Sequence, residues 1–336
     1  MARIPSTPPP VPPVPPGEHR PLWSVMIPAY NCAGFLAEAL RGVLAQDPGP
    51  ALMQIEVVDD ASTDADLGAL VRELGRGRVG YHRQPRNVGS LRNFETCLTR
   101  ARGRLVHLLH GDDRVRPGFY AKMEYLFQRF PQAGAAFCRN SFINNKGVWS
   151  HDTPLEANDD LVLDNWLLRI AERQRIQYVS IVVRREVYET LGGFYGMPYG
   201  EDWEMWVRIA RFYPVAYSPE VLAECRMHAS SISSRLGTSG QSLPYLIKCH
   251  TLIQEHIRQA DLPESLKAKA IAKGKLHCAL YCLSLAKGIY KRTQDSRLAM
   301  GYIKSALQLS NHPLVYVRVL KLCVKLALLK HQLYFL

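Results

Sequence analysis

Three pairs of adjacent acids, Asp59-Asp60, Asp112-Asp113 and Glu201-Asp202, are the residues of this sequence best placed to do chemistry. The middle pair is the most telling. It ends the run LVHLLHGDD, Leu105 to Asp113, which reads as a buried parallel strand running out to its carboxyl end. Ligands of open α/β sheets bind outside the carboxyl ends of the strands. Two carboxylates at such a point repel each other unless a cation or a hydrogen-bond network compensates. A divalent metal carrying a phosphate is the natural partner, because hard cations choose oxygen ligands. The plainer reading is a turn and a helix N-cap, with Asp113 leading into a helix that begins near Pro117 or Gly118. Taken singly, each pair fits a cap as well as a site. Three pairs in one chain, together with Arg92 and His228, are harder to dismiss.

The elements that must position these acids alternate. WSVMIPA, Trp23 to Ala29, is a short apolar strand, and Tyr30, Asn31 and Gly34 form the turn after it. A helix over 35–45 places Phe35, Leu36, Ala39, Leu40 and Val43 at helical spacing, and Asp47-Pro48-Gly49-Pro50 ends it. A second strand over 54–58 delivers the first acid pair, and a helix over 66–74 follows. This β-α-β-α order argues for a parallel sheet with right-handed crossovers. Gly75 to Gly80 matches GxGxxG, but it follows a helix and leads into a strand over 79–82, so it is a connecting loop rather than a dinucleotide site. A helix over 90–101 carries Arg92 and Asn93 in its first turn. Beyond the central acids the pattern predicts a helix over 118–130, a strand over 133–138, a polar loop over 151–160 and a helix over 160–173. A strand over 178–183 and a short helix over 185–191 come next. The turn Gly192-Gly193-Phe194 then precedes Gly200-Glu201-Asp202, which caps a helix over 203–212. Short strands over 215–217 and 222–225 lead to Arg226-Met227-His228 and a serine-rich loop to Ser242.

From Leu243 on the periodicity is helical throughout, with segments near 243–259, 264–288, 295–309 and 313–336. The domain plan is therefore a proline-rich disordered tail over 1–21, an α/β domain over 22–240 and a basic helical region over 241–336. The net charge is +12, and residues 241–336 carry 15 Lys and Arg against only four acids. Such a concentration suggests an anionic partner. In the last helix Arg318, Lys321 and Lys325 share one face, the profile of a helix packed on a core or lying in a membrane interface. Few aromatics interleave with the charges, which counts against specific nucleic-acid binding. The eight cysteines are scattered without a CxxC pair, which reads as reduced thiols in a cytoplasmic protein. No uncharged apolar run is long enough for a transmembrane helix, and the proline-rich start lacks the apolar stretch of a signal peptide.

Six segments in order, SVMIPAYN (24–31), VVDDASTD (57–64), NVGSLRNF (87–94), LLHGDD (108–113), GEDWEMWVRIA (200–210) and RMH (226–228), resemble a family 2 glycosyltransferase of the bacterial surface-polysaccharide type. The resemblance covers 23 to about 230 and implies the GT-A fold, a Rossmann-like, mostly parallel central sheet flanked by helices, with the helical appendage outside it. It implies an inverting, hexosyltransferase-type enzyme that moves a sugar from a nucleotide donor, UDP by default, to an acceptor hydroxyl. It places Pro28, Tyr30 and Asp60 around the base and ribose, with Asn31 beside them and Arg92 near the nucleotide. Asp112 and Asp113 fall in the family's DxD region, one holding the ribose or sugar and the other Mg²⁺ or Mn²⁺ on the diphosphate. Asp202, or secondarily Glu201, is the general base, and His228 lies close to the metal or diphosphate. One departure is that His110 stands where the family often has an Asp. The expected partners are a nucleotide-sugar and a glycan or lipid-linked acceptor, with peripheral contact at the inner face of the cell membrane. Two other readings stay open: a catalytically degenerate scaffold used for binding, and another nucleotide-using α/β transferase such as a nucleotidyltransferase.

Overall fold

The computed structural model describes residues 3–332, and they fall into two compact units. The first runs to Trp166 and resumes over Arg175–His228; the second comprises Leu167–Gln174 and the chain from Ala229 on.

The first unit begins with β1 (Trp23–Ala29), α1 (Ala33–Leu44), β2 (Met53–Asp59), α2 (Leu67–Gly75), β3 (Gly80–Arg83), α3 (Ser90–Arg100) and β4 (Leu105–Leu108). It continues through β5 (Arg114–Val115), α4 (Phe119–Arg129), β6 (Ala135–Asn144), β7 (Trp149–Asp152), β8 (Leu161–Val162) and the start of α5 (Trp166–Glu172). After a 3-10 turn over Tyr178–Ser180 come β9 (Ile181–Arg184), α6 (Arg185–Leu191), α7 (Glu201–Phe212) and β10 (Val215–Met227). The strands make one sheet in the order β3-β2-β1-β4-β9-β6-β10-β5, with β7 on β6 and β8 on β10. β3, β2, β1 and β4 are mutually parallel. β9 runs antiparallel to both β4 and β6, and β10 is parallel to β6. The α/β expectation therefore holds, and the parallel block is the half that carries the first two acid pairs.

Every residue of β1 is buried, as a strand flanked by neighbours and covered on both faces must be. Trp23, Val25 and Ile27 pack with Leu36, Leu40 and Val43 of α1 and with Phe119, Met123 and Leu126 of α4 in one cluster. The GxGxxG stretch is a connector: Gly75 closes α2, and Arg76 takes the left-handed cap at φ 46.

Several local expectations needed correction. The tail is not free. Val11 is buried, and the N–H groups of Gly193 and Gly196 donate to the Pro9 and Pro5 carbonyls, each at 2.8 Å. A proline-rich chain is pre-extended and keeps its carbonyls available, so docking costs little conformational entropy. The strand over 133–138 extends to Asn144, because its polar residues are partnered: Arg139 donates to the Thr153 carbonyl at 2.8 Å, and Ser141 to Asp152 at 2.6 Å. The two short strands around Pro219 are one strand, β10, bulged between Ser218 and Ala223, where a proline is tolerated. The polar loop over 151–160 starts inside β7, and the helix expected over 160–173 is only α5.

The second unit holds α8 (Ile232–Ser239), α9 (Ser242–Arg258), α10 (Glu264–Thr293), α11 (Ser296–Leu309) and α12 (Pro313–Gln332). α8 replaces the expected serine-rich loop, because the Ser231 hydroxyl accepts the Ser234 N–H and so caps a helix. Cys278, Cys282, Ile289, Tyr302 and Ile303 form its core, and the cysteines are all free thiols. The Lys325 side chain and residues 333–336 of the last predicted helix lie outside the described positions. No helix among the described residues is long and apolar enough to cross a membrane.

A tight backbone approach fixes β1 against the start of β4. The Ser24 hydroxyl accepts the N–H groups of Arg102 and Gly103, and a Cβ on Gly103 would lie 2.4 Å from the Trp23 carbonyl carbon. Gly103→Ala is expected to destabilise the first unit by about 2–3 kcal/mol, read as a lower urea midpoint by tryptophan fluorescence. An unchanged midpoint would show that the β1–β4 approach is not so constrained.

Candidate functional site

The carboxyl ends of β1 and β2 build one corner. Asp59 is fully buried and structural: its carboxylate accepts the Ser62 N–H at 2.8 Å and the Tyr81 hydroxyl at 2.7 Å, and it pairs with Arg83. Asp60 turns the other way. Its two oxygens accept the N–H groups of Val88 and Gly89 at 2.6 and 3.0 Å, while Asn87 donates to its carbonyl at 3.2 Å. Burial raises the Asp60 pKa above the ordinary value, against the opposing pull of those two amides. Asn31, at φ 50, locks the corner: its N–H donates to Ser62 Oγ, and its side-chain carbonyl accepts the Thr63 N–H at 2.8 Å. Pro28 lies in β1 directly behind this turn. Tyr30 is 44% exposed at the same turn, a flat aromatic face open to a ligand.

Arg92 sits one turn into α3 and pairs with Glu95 at 2.5 Å. The adjacent Asn93 is structural, its amide donating to the Val58 carbonyl at 2.8 Å. Arg92, Asn87 and Val88 line a cavity of about 580 Å³ beside α3, together with Arg3, Arg86 and His82. The corner and this cavity thus share the turn that Asp60 holds.

At the end of β4 the chain turns through His110, Asp112 and Asp113, and one donor atom from each lies within 4.8 Å of the others. Burial and the charge of Asp112 push the Asp113 carboxyl well above its usual range. Burial acts in the same sense on Asp112, but the hydrogen bond from His228 and the two nearby imidazoles outweigh it and hold that carboxyl low. The end of β10 supplies the compensation. The Arg226 N–H donates to Asp113 Oδ1 at 2.7 Å, and its Nε–H donates to the Asp112 carbonyl at 2.9 Å. The guanidinium then pairs with Glu38 at 2.8 Å and lies over the Phe35 ring. His228 donates from Nε2 to Asp112 Oδ2 at 2.9 Å.

His228, expected close to the metal or diphosphate, stands beside the acids as a partner of Asp112, and His110 is a further donor in the cluster. The His110 ring is held between Phe94 and Tyr178, at 5.2 and 4.3 Å between centroids, and its Nε2 is buried without a hydrogen-bond partner. Burial keeps that imidazole pKa below its ordinary value. One imidazole nitrogen and two carboxylates fit a divalent cation, with the nitrogen favouring Mn²⁺ over Mg²⁺.

Tyr178 also brings in the third acid pair. Its hydroxyl donates to Glu201 Oε1 at 3.3 Å while its ring lies tilted against His110. Gly200, at φ 88, opens α7 with Glu201 and Asp202 in the first turn. Burial, helped by the Asp202 charge, pushes Glu201 up to about 8, so it is protonated at neutral pH. Asp202 Oδ1 accepts its own helix's Trp203 N–H at 2.7 Å, and the side chain is only partly buried. The three acid pairs thus resolve into a structural Asp59, an amide-held Asp60, a buried Asp113 beside a half-buried Asp112, and a buried Glu201 beside a more open Asp202. Sequence reasoning missed Arg226 and Tyr178 as site residues. The signal for Arg226 was available, since an arginine ending an apolar strand requires acidic or carbonyl partners.

The sequence profile described as glycosyl transferase family 2 matches residues 24–157. An uncharacterized protein of Mycobacterium tuberculosis is 30% identical over 231 residues, 65% of this chain and 70% of that protein. Further uncharacterized mycobacterial relatives, 31% identical, are covered over 60% of their own length. A putative teichuronic acid biosynthesis glycosyltransferase of Bacillus subtilis is 28% identical, over 64% of this chain and 82% of that protein. Among solved structures, residues 1-349 of TarS from S. aureus, in complex with UDP-GlcNAc, superpose with a TM-score of 0.65 at 17% identity. That match covers 85% of this chain and 81% of that one, and it shows a shared fold.

The Glu201 carboxyl makes a pH test possible. A carboxyl raised in the folded state binds more protons folded than unfolded, from its ordinary pKa near 4.5 up to about 8. Stability is therefore lost as pH rises through that window. Glu201→Gln should remove this part of the slope: equal to the parent near pH 4, and more stable by up to about 5 kcal/mol above pH 8. Parallel urea-midpoint profiles for the two proteins would contradict the assignment.

Proposed function

The chain belongs to glycosyl transferase family 2, and from that premise we propose a metal-assisted, inverting transfer of a sugar from a UDP-sugar to an acceptor hydroxyl. The observation that carries this reading is the juxtaposition of His110, Asp112 and Asp113 with the Glu201-Asp202 pair through Tyr178. In this reading Tyr30 offers a face to the base, with Pro28 and Asn31 shaping the turn and Asp60 closing it. Arg92 lies on the nucleotide side. His110, Asp112 and Asp113 would hold Mg²⁺ or Mn²⁺, which when bound neutralises the charge on a diphosphate leaving group. His228 fixes the Asp112 carboxylate in place.

Asp202 takes the proton of the acceptor hydroxyl. That hydroxyl is a poor nucleophile, and a carboxylate ionised at neutral pH suits the task. Glu201 does not, because its buried carboxyl already holds a proton. A single displacement places the base on the sugar face opposite the leaving group, consistent with acids from different elements serving the two ends.

UDP as the nucleotide is supported by the UDP-GlcNAc carried by the TarS structure, and a bacterial surface glycan as acceptor by the teichuronic acid relative. The acceptor would be a growing glycan or its lipid-linked form. The terminal helix supports peripheral membrane contact: Tyr316, Val317, Leu320 and Val324 of α12 are exposed beside the charges of Arg318 and Lys321. A face of that kind suits an anionic interface.

Asp202→Asn is expected to lower donor turnover by about 10²–10⁴-fold while UDP affinity stays within about twofold, measured by nucleoside-diphosphate release and calorimetry. Near-normal kcat would remove Asp202 as the base. Full-length protein should co-sediment with anionic liposomes at low salt and be released at high salt. Failure to sediment at low salt would remove the membrane contact.

A further inference from the structure

The proline-rich segment is absorbed by nothing above, yet the first unit is built around it. It leaves β1 at Pro21, whose carbonyl accepts the Arg104 N–H at the start of β4. From there it crosses to the opposite end of the parallel strands. Three of its carbonyls are used on the way. Pro12 accepts from the buried Arg185 guanidinium at 2.9 Å, Pro9 from the Gly193 N–H and Pro5 from the Gly196 N–H. Proline has no N–H to satisfy, so such a segment accepts without leaving donors orphaned.

The receiving surface is shaped for it. Gly192 lies at φ +76, and a Cβ there would come within 2.8 Å of Pro8 and 2.9 Å of the Pro9 carbonyl. A Cβ on Gly193 would press on Pro9 at 3.1 Å. The strap therefore seats against the loop that leads to Glu201 and Asp202.

Its far end reaches the Asp60 corner. Arg3 donates from Nη2 to Asn87 Oδ1, and its Nε lies 3.1 Å from where a Gly89 Cβ would stand. Gly89 and Val88 are the residues whose amides hold Asp60, and Asn87 donates to the Asp60 carbonyl. Arg3 is exposed and lines the 580 Å³ cavity beside α3. A guanidinium has five donors, and among the described residues one of them is given to Asn87, with others directed toward the cavity that Arg3 lines.

We infer that the strap delivers Arg3 to the nucleotide corner as a donor-binding residue, its guanidinium donating to a carbonyl oxygen of the base that lies against Asp60 and Tyr30. This rests on the nucleotide-sugar reading above. The base is favoured over the diphosphate as the group contacted. Arg3 is fixed at the Asn87–Gly89 turn beside Asp60, whereas the acid cluster that suits a diphosphate stands at the end of β4.

Calorimetry of UDP and UMP binding to the full chain tests it with three variants. Arg3→Ala should weaken both ligands by about the same factor, roughly tenfold for a lost charged hydrogen bond, with the melting temperature of the free protein unchanged. Val11→Asp, which unseats the strap, should lower the melting temperature and weaken UDP to a similar extent. The double variant should bind UDP no worse than the weaker single one, because the strap acts on the nucleotide through Arg3. An Arg3→Ala protein that binds UDP like the parent overturns the Arg3 assignment alone. A loss confined to UDP and absent for UMP overturns contact with the base. A parent protein that binds no UDP overturns the UDP-donor reading, and this inference with it.

Discussion

Two adjacent carboxylates at the end of β4, Asp113 buried and Asp112 half-buried, are the constraint on which this structure depends. Left alone, Asp112 and Asp113 could not both ionise in so little solvent. The chain answers with β10, which returns beside β6 and β5 and ends in Arg226 and His228. One arginine then does three things: its N–H holds Asp113, its Nε–H holds the Asp112 carbonyl, and its Nη2 reaches Glu38 on α1. The last strand of the first unit is thereby tied to the first helix through the acid turn. Without that tie, the like charges of the pair would face each other uncompensated; with it, backbone and guanidinium donors hold both acids in place.

The same logic separates the acids at α7. Glu201 and Asp202 are neighbours with opposite environments, one buried under Tyr178 and the other on the open side of the first helical turn. Environments that push two carboxyls apart are how one fold obtains an acid and a base at neutral pH. Tyr178 makes the two acid centres one system, since its ring lies tilted against His110 and its hydroxyl caps Glu201. It lies in a 3-10 turn just before β9, and β9 is the strand that joins the parallel block to the second half of the sheet.

Much of this was legible in the sequence. The alternation from Trp23 to Asp113 reads directly as β-α-β-α because buried parallel strands are uninterrupted apolar runs and the helices between them keep their 3.6-residue stripe. The corner of Tyr30, Asn31 and Asp60 follows from those strand ends. What was not legible depended on long-range partners. Nothing local reveals that Asn140 and Ser141 continue a strand, or that Ser218-Pro219 is a bulge and not an end, because neighbouring strands supply the pairing. That His110 joins the acid cluster was not legible either, because Phe94 and Tyr178, from other elements, hold its ring there. The strap was unreadable for a related reason: a proline-rich sequence states its conformation, and only Gly192 and Gly193, far along the chain, state where it lies.

The central claim is that the buried acid turn is a cation site completed by a nucleotide. Equilibrium dialysis of Mn²⁺ with saturating UDP measures this directly. The account predicts one ion held per chain above what UDP alone binds, lost in Asp113→Asn and weakened in His110→Phe. Mn²⁺ retention by the parent no greater than that of Asp113→Asn would contradict it, leaving Asp112 and Asp113 as a turn held together by Arg226.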